Sequence, residues 1–107
     1  MKIEITEKQE KLSKIAKALG HPTRVAILSF LASQKECFFG EIHEVLNVSK
    51  PTVSNHLSEL KDAGLIRGTI DPPKVRYCIN DENWTIAQKL FNNFFDENSI
   101  EKKTRCC

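Results

Sequence analysis

Long apolar runs are missing from this chain. Nothing in its 107 residues approaches the roughly 20 consecutive apolar residues that a bilayer-crossing helix needs. Residues 1–10 lack the apolar stretch of a signal peptide, so the expected location is the cytoplasm, away from any membrane. A charge excess is missing too. Sixteen Lys and Arg against fourteen Asp and Glu leave +2, too little for whole-chain charge to argue for nucleic acid. There is no internal repeat and no low-complexity segment. Cysteine is sparse, at positions 37, 78, 106 and 107. In a reducing compartment these four are expected as free thiols, metal ligands or redox groups rather than structural disulfides. A chain this short makes one domain with a modest core, which pairing with a second copy would reinforce.

What the chain does have is concentrated between Ser49 and Ile66. Val53, Leu57 and Leu60 repeat at i, i+4, i+7 and predict one apolar helix face. Lys50, Thr52, Asn55 and Ser58 occupy the other face and the first turn. Ser49 suits an N-cap, Pro51 the first turn, and Gly64 a helix stop. A helix that buries one side and offers small polar and cationic groups at its amino end suits a DNA major groove. Local charge agrees. Residues 47–78 hold Lys50, Lys61, Arg67, Lys74 and Arg76 against Glu59, Asp62 and Asp71, whereas residues 79–98 hold Lys89 against Asp81, Glu82, Asp96 and Glu97.

The flanking elements complete a pattern. Thr6 and Gln9 form a capping box for a first helix with Leu12, Ile15, Ala16 and Leu19 on one face. Pro22 starts a second helix to about Leu31, whose crowded apolar set predicts burial on most sides. A third, short helix carries Phe39, Ile42, Val45 and Leu46 and closes at Asn47, a residue that tolerates the left-handed conformation. Only about two residues then precede Ser49, the helix-turn-helix arrangement. Beyond Gly64 the period changes to two, and Leu65–Ile70 and Val75–Ile79 flank Asp71-Pro72-Pro73-Lys74 as a hairpin. A hairpin in that place is a wing, from which Lys74 and Arg76 reach phosphate. A last helix from about Asp81 to Phe95 carries Trp84, Ala87, Leu90, Phe91, Phe94 and Phe95, more apolar surface than so small a core covers. That excess predicts a homodimer through the first and last helices. The expected fold is therefore mainly α with a two-stranded β wing, a winged helix-turn-helix over residues 1–95, followed by a polar tail, 96–107, that ends in two cysteines.

Leu19-Gly20-His21-Pro22-Thr23-Arg24-Val25-Ala26-Ile27-Leu28 resembles the Leu-x-x-Pro-Thr-Arg-x-x-Ile-Leu opening of the ArsR/SmtB family, the metal- and metalloid-responsive bacterial repressors. Ser49–Ile66 resembles that family's recognition helix and the start of its wing, and the likeness runs over roughly residues 12–95. It implies a winged-helix homodimer that represses an inverted-repeat operator on double-stranded DNA and lets go when an inducer binds. The DNA-contacting positions it implies are Ser49, Lys50, Thr52, Ser54, Asn55 and His56 on the helix and Lys74 and Arg76 on the wing; Ser58 joins them from the polar face. Thr52 and Asn55 stand where base edges would be, and Ser49, Lys50 and the wing cations where phosphates would be. His56, between Val53 and Leu60 in helical spacing, fits a half-buried structural histidine as well as a phosphate contact.

The inducer is harder to read. All three histidines lie before residue 57, so the family's histidine-rich zinc site on the last helix is absent. The Cys-x-Cys of the thiolate-type site would fall on Phe38 and Gly40, with Cys37 one residue earlier, so that motif is broken. Cys37, Cys106 and Cys107 together still offer three thiolates, the donor set a thiophilic ion such as As(III) or Sb(III) takes. The alternatives are a redox or persulfide switch in which two cysteines crosslink, and no sensing role, with Cys37 a small apolar residue and the terminal pair a loose end. Cys78, in a wing strand beside Tyr77, reads as structural. No cofactor is required for DNA binding. Two other classes compete with a repressor. A thiol enzyme would need Cys37 beside His43, but the two share no helix face and lack an oxyanion loop. A protein-interaction module would use the aromatic last helix without binding DNA.

Overall fold

The computed structural model describes residues 2–71 and 74–100, apart from the side chains of Ile70, Asp71 and Lys74. In chain order the elements are α1 (Glu7–Leu19), α2 (Pro22–Ser33), β1 (Phe38–Phe39), α3 (Ile42–Leu46), α4 (Lys50–Asp62), β2 (Ile66–Asp71), β3 (Lys74–Ile79) and α5 (Asp81–Glu97). The architecture is a winged helix-turn-helix, mainly helical, as the hydrophobic pattern predicts.

Local chemistry sets most of the boundaries. The Thr6 hydroxyl accepts from the Gln9 amide, and the Gln9 side chain accepts from the Thr6 amide, closing the expected capping box on α1. Pro22 opens α2 behind an extended His21, whose Nδ1 accepts from the Thr23 amide. Asn47 closes α3 at φ 55°, in the left-handed region. Gly64 follows α4 at φ 80°, and a Cβ there would meet the Asn83 amide nitrogen at 2.8 Å. That close approach is used: Asn83 Nδ2 donates to the Gly64 carbonyl at 2.8 Å and ties the α4–β2 turn to α5. Glycine is thus required there twice over, by backbone conformation and by space.

The core lies under α4. Val53, Leu57 and Leu60 are buried together with Ile15, Ala18, Ile27, Leu28, Leu31, Ile42, Leu65, Ile66 and Ala87. Each fully buried Leu or Ile adds about 1.5–3 kcal/mol relative to exposure. The apolar stripe read from the sequence is therefore the stripe that seats α4.

Four expectations are corrected. The sheet has three strands, in the order β1-β3-β2, rather than a two-stranded hairpin. Phe39 belongs to β1, paired with Arg76, and not to the third helix, which starts at Ile42. Helix α2 is not buried on most sides: Ile27, Leu28 and Leu31 face the core, but Val25 is 48% exposed. On α1 the inward residue beside Ile15 is Ala18, while Ala16 is exposed. The hairpin tip at 72–73 and the tail at 101–107 lie outside the described residues.

Candidate nucleic-acid interface

Helix α4 stands on its apolar face, which leaves the opposite face free. Ser49, Lys50, Thr52, Ser54, Asn55 and Ser58 are all exposed, and Arg76 is exposed on β3. The Lys74 side chain lies outside the described residues. Ser49 occupies the N-cap position of α4 but makes no capping hydrogen bond. Its hydroxyl instead donates to the Thr52 hydroxyl at 2.7 Å. The amino end of α4 therefore keeps its first backbone N–H groups without a side-chain cap, an arrangement that favours an incoming anion such as phosphate.

Two of the cations are engaged by the segment just before α3. Lys50 Nζ lies 3.6 Å from Glu41, which also sits 3.3 Å from His43 Nδ1. The Arg76 guanidinium lies over the Phe39 ring, 5.8 Å from its centroid. Between α3, α4 and β3 runs an open groove of about 400 Å³, lined by Glu41, His43, Lys50, Ser54 and Tyr77 among others. Burial, and then the nearby Glu41 charge, raise the Tyr77 pKa above its ordinary value, so its hydroxyl stays protonated. Neither Glu41 nor Phe39 stood out in the sequence as a neighbour of the DNA-facing cations, because both contacts depend on β1 lying beside β3.

His56 is half-buried, and its Nδ1 accepts from Arg24 Nε at 3.0 Å. Its ring centroid is 4.3 Å from that of His21. The same Arg24 reaches the carbonyls of Lys17 and Ala18 through Nη1, both at 3.4 Å, and so caps the carboxyl end of α1. An Nδ1 that accepts places the ring proton on Nε2, the form in which His56 is neutral. Burial, followed by the neighbouring His21 and Arg24, lowers the His56 pKa below 6.5, with Glu59 opposing. A histidine whose pKa falls on folding adds stability that is complete above 6.5 and is lost as pH drops through the lowered folded value. Thermal melting should therefore show a fall in Tm between about pH 7 and pH 5. In His56→Gln, which keeps an acceptor for Arg24 but cannot be protonated, that fall should be smaller. An identical pH profile in the variant would remove His56 as the cause.

The cysteines are arranged differently from expectation. Cys37 and Cys78 are joined as a disulfide, with Cα atoms 4.6 Å apart. Cys37 is thus not a free thiol, and neither is Cys78. The register explains the pairing: Phe38 opposes Tyr77 and Phe39 opposes Arg76, so the next rung brings Cys37 opposite Cys78. Cys106 and Cys107 lie outside the described residues. Among the described residues no three His, Cys, Asp or Glu side chains gather as a metal site. Those residues alone therefore do not offer the donor set of a resident metal.

A sequence profile of bacterial regulatory proteins of the arsR family matches residues 21–67, from the start of α2 into β2. An HTH-type transcriptional regulator of Methanocaldococcus jannaschii is 43% identical over 76 residues, covering 71% of this chain and 85% of that one. The solution structure of the cadmium metal-sensor CMTR from Mycobacterium tuberculosis superposes with TM-score 0.55 at 30% identity, covering 90% and 96% of the two chains. A homodimeric winged helix-turn-helix DNA-binding domain from Mycobacterium bovis superposes with TM-score 0.64 at 22% identity, over 99% of this chain and 100% of that one, which speaks to the fold.

Proposed function

The chain belongs to the ArsR family of bacterial regulatory proteins, a transcription regulator rather than an enzyme, and from that premise we propose that it acts as a homodimeric repressor of an inverted-repeat operator. Ser49, Lys50, Thr52, Ser54, Asn55, Ser58, Lys74 and Arg76 form its reading surface, and His56, held by Arg24, supports that surface from behind. The observation that carries this is the exposed polar amino-terminal face of α4, set on a buried Val53–Leu57–Leu60 stripe beside the wing strands. Dimerisation has its own support. Phe94 and Phe95, 41% and 65% exposed, continue the apolar side of α5 beyond the core, and the Mycobacterium bovis relative is homodimeric.

Three cations in each of two protomers would release about six counterions on binding. Affinity for duplex DNA should then fall about 1,000-fold between roughly 50 and 200 mM salt. Absent or salt-insensitive binding would transfer the chain to the class of protein-interaction modules.

The signal acts through the cysteines. In one reading the Cys37–Cys78 bond is reduced and Cys37, Cys106 and Cys107 take a thiophilic ion such as As(III) or Sb(III), three thiolates suiting its pyramidal coordination. The cadmium-sensing relative supports ion induction of this kind. If it holds, Cys106→Ser with Cys107→Ser leaves DNA binding intact and abolishes release by As(III); undiminished release excludes the tail. The second reading, a direct crosslink between thiols, is favoured by the Cys37–Cys78 pair.

A further inference from the structure

The Cys37–Cys78 pair closes a covalent ring around α3, α4 and both wing strands, because 41 residues of sequence separate the two positions. Everything offered to DNA lies inside that ring. The strand it staples, β1, is only two residues long and meets β3 through two residue pairs. So short a ladder has little hold of its own. Apart from Phe38, which packs on Phe30 at the edge of the core, the staple is what holds β1 on β3.

What β1 does when held there is visible. Phe39 sits under Arg76, and Glu41, two residues further on, pairs with Lys50. Both cations belong to the proposed phosphate-binding set. A stapled β1 keeps them occupied by the protein itself, and a released β1 gives them back to phosphate.

The pair is also placed to react. Both cysteines are only partly buried, and they line an open groove of about 350 Å³ together with Lys35, Glu36, Arg67 and Asp81. Arg67 stands directly opposite Cys78 across β2 and β3. A guanidinium in that position favours the thiolate, the reactive form of a reduced cysteine.

We propose that Cys37 and Cys78 form a reversible dithiol–disulfide couple, driven by peroxide-class oxidants, whose closure weakens operator binding. In the oxidising direction the Cys78 thiolate attacks one peroxide oxygen and the O–O bond breaks. The departing hydroxide takes a proton and leaves as water, and Cys78 becomes a sulfenic acid. The Cys37 thiol then attacks that sulfur, an S–S bond forms, and the hydroxyl leaves with the thiol proton as a second water. Two electrons pass from two thiols to one peroxide. A dithiol reductant returns two electrons and two protons. This deepens the DNA-binding reading and rests on it.

The test uses the full chain and a duplex enriched from a random-sequence pool on the reduced protein. Hydrogen peroxide treatment should weaken binding about 3- to 30-fold, the combined effect of exposed cation–aromatic and ion-pair contacts that must be given up. It should also make the salt dependence shallower, by about 2 to 4 in the slope of log affinity against log salt. Dithiothreitol should restore both. Cys37→Ser with Cys78→Ser should bind as the reduced protein does and ignore peroxide, whereas Cys106→Ser with Cys107→Ser should respond like the parent. Should the first variant not fold, the parent chain with and without dithiothreitol carries the same comparison, with peptide mass mapping to identify the 37–78 crosslink. Equal affinity and equal slope in the two mapped states overturns the couple and leaves the repressor reading standing, as does failure of the two thiols to pair. If neither state holds any duplex, the repressor reading falls and takes the couple with it.

Discussion

Asn55→Ala is expected to weaken binding to the operator about 10- to 100-fold while leaving the fold untouched. Asn55 is exposed and lies in the second turn of α4, on the side away from Val53 and Leu57. Its amide offers one acceptor and two donors in a plane, the pattern that pairs with the N6 and N7 edge of adenine. A bidentate contact of that kind discriminates by about 1–3 kcal/mol. Alanine is the better helix former, so α4 itself gains slightly. The discriminating measurement is titration of operator variants by anisotropy. In Asn55→Ala the preference at one base pair of each half-site should vanish, and preferences elsewhere should persist. Lys50→Ala, by contrast, removes a phosphate partner and should weaken all duplexes alike. A uniform loss in Asn55→Ala would move this residue from base to backbone.

Leu60→Ala should cost about 2–5 kcal/mol, or a fall in Tm of about 10–30 °C by calorimetry. Leu60 is 0% exposed and sits in the core cluster with Ile27, Leu28 and Leu65, at the carboxyl end of the stripe that seats α4. Truncation removes buried methyl groups and leaves a cavity that the surrounding helices fill only in part. The loss is local to the support of α4, so DNA affinity should decline at temperatures where the domain is still folded. A Tm within a few degrees of the parent would mean that the core closes over the gap.

The recognition helix was legible because its two signals coincide: apolar residues at helical spacing and polar ones between them. The capping box at Thr6–Gln9 and the left-handed Asn47 were legible because each is decided by residues within three positions. Strand β1 was not. Two residues carry no period, and Phe38–Phe39 becomes a strand only through β3, nearly forty positions away. Everything that depends on β1 was hidden with it: the Cys37–Cys78 pairing, the Arg76–Phe39 stack and the third strand of the sheet. Ser49 shows a subtler loss. Its type suits a cap, but its hydroxyl turns to donate to the Thr52 hydroxyl and does not accept from the backbone. Arg24 stood in the most recognisable motif of the chain, yet its partners on α1 and α4 could be named only in three dimensions.

That arginine has a mechanical meaning. One rigid, planar group grips the last carbonyls of α1 with one nitrogen and the imidazole of α4 with another. The two rods are thereby pinned at a common pivot outside the oily interior. Swivelling α1 must either drag the DNA-facing rod along or snap all three bonds at once. The flexible ammonium of lysine, lacking the fork, would leave that joint slack.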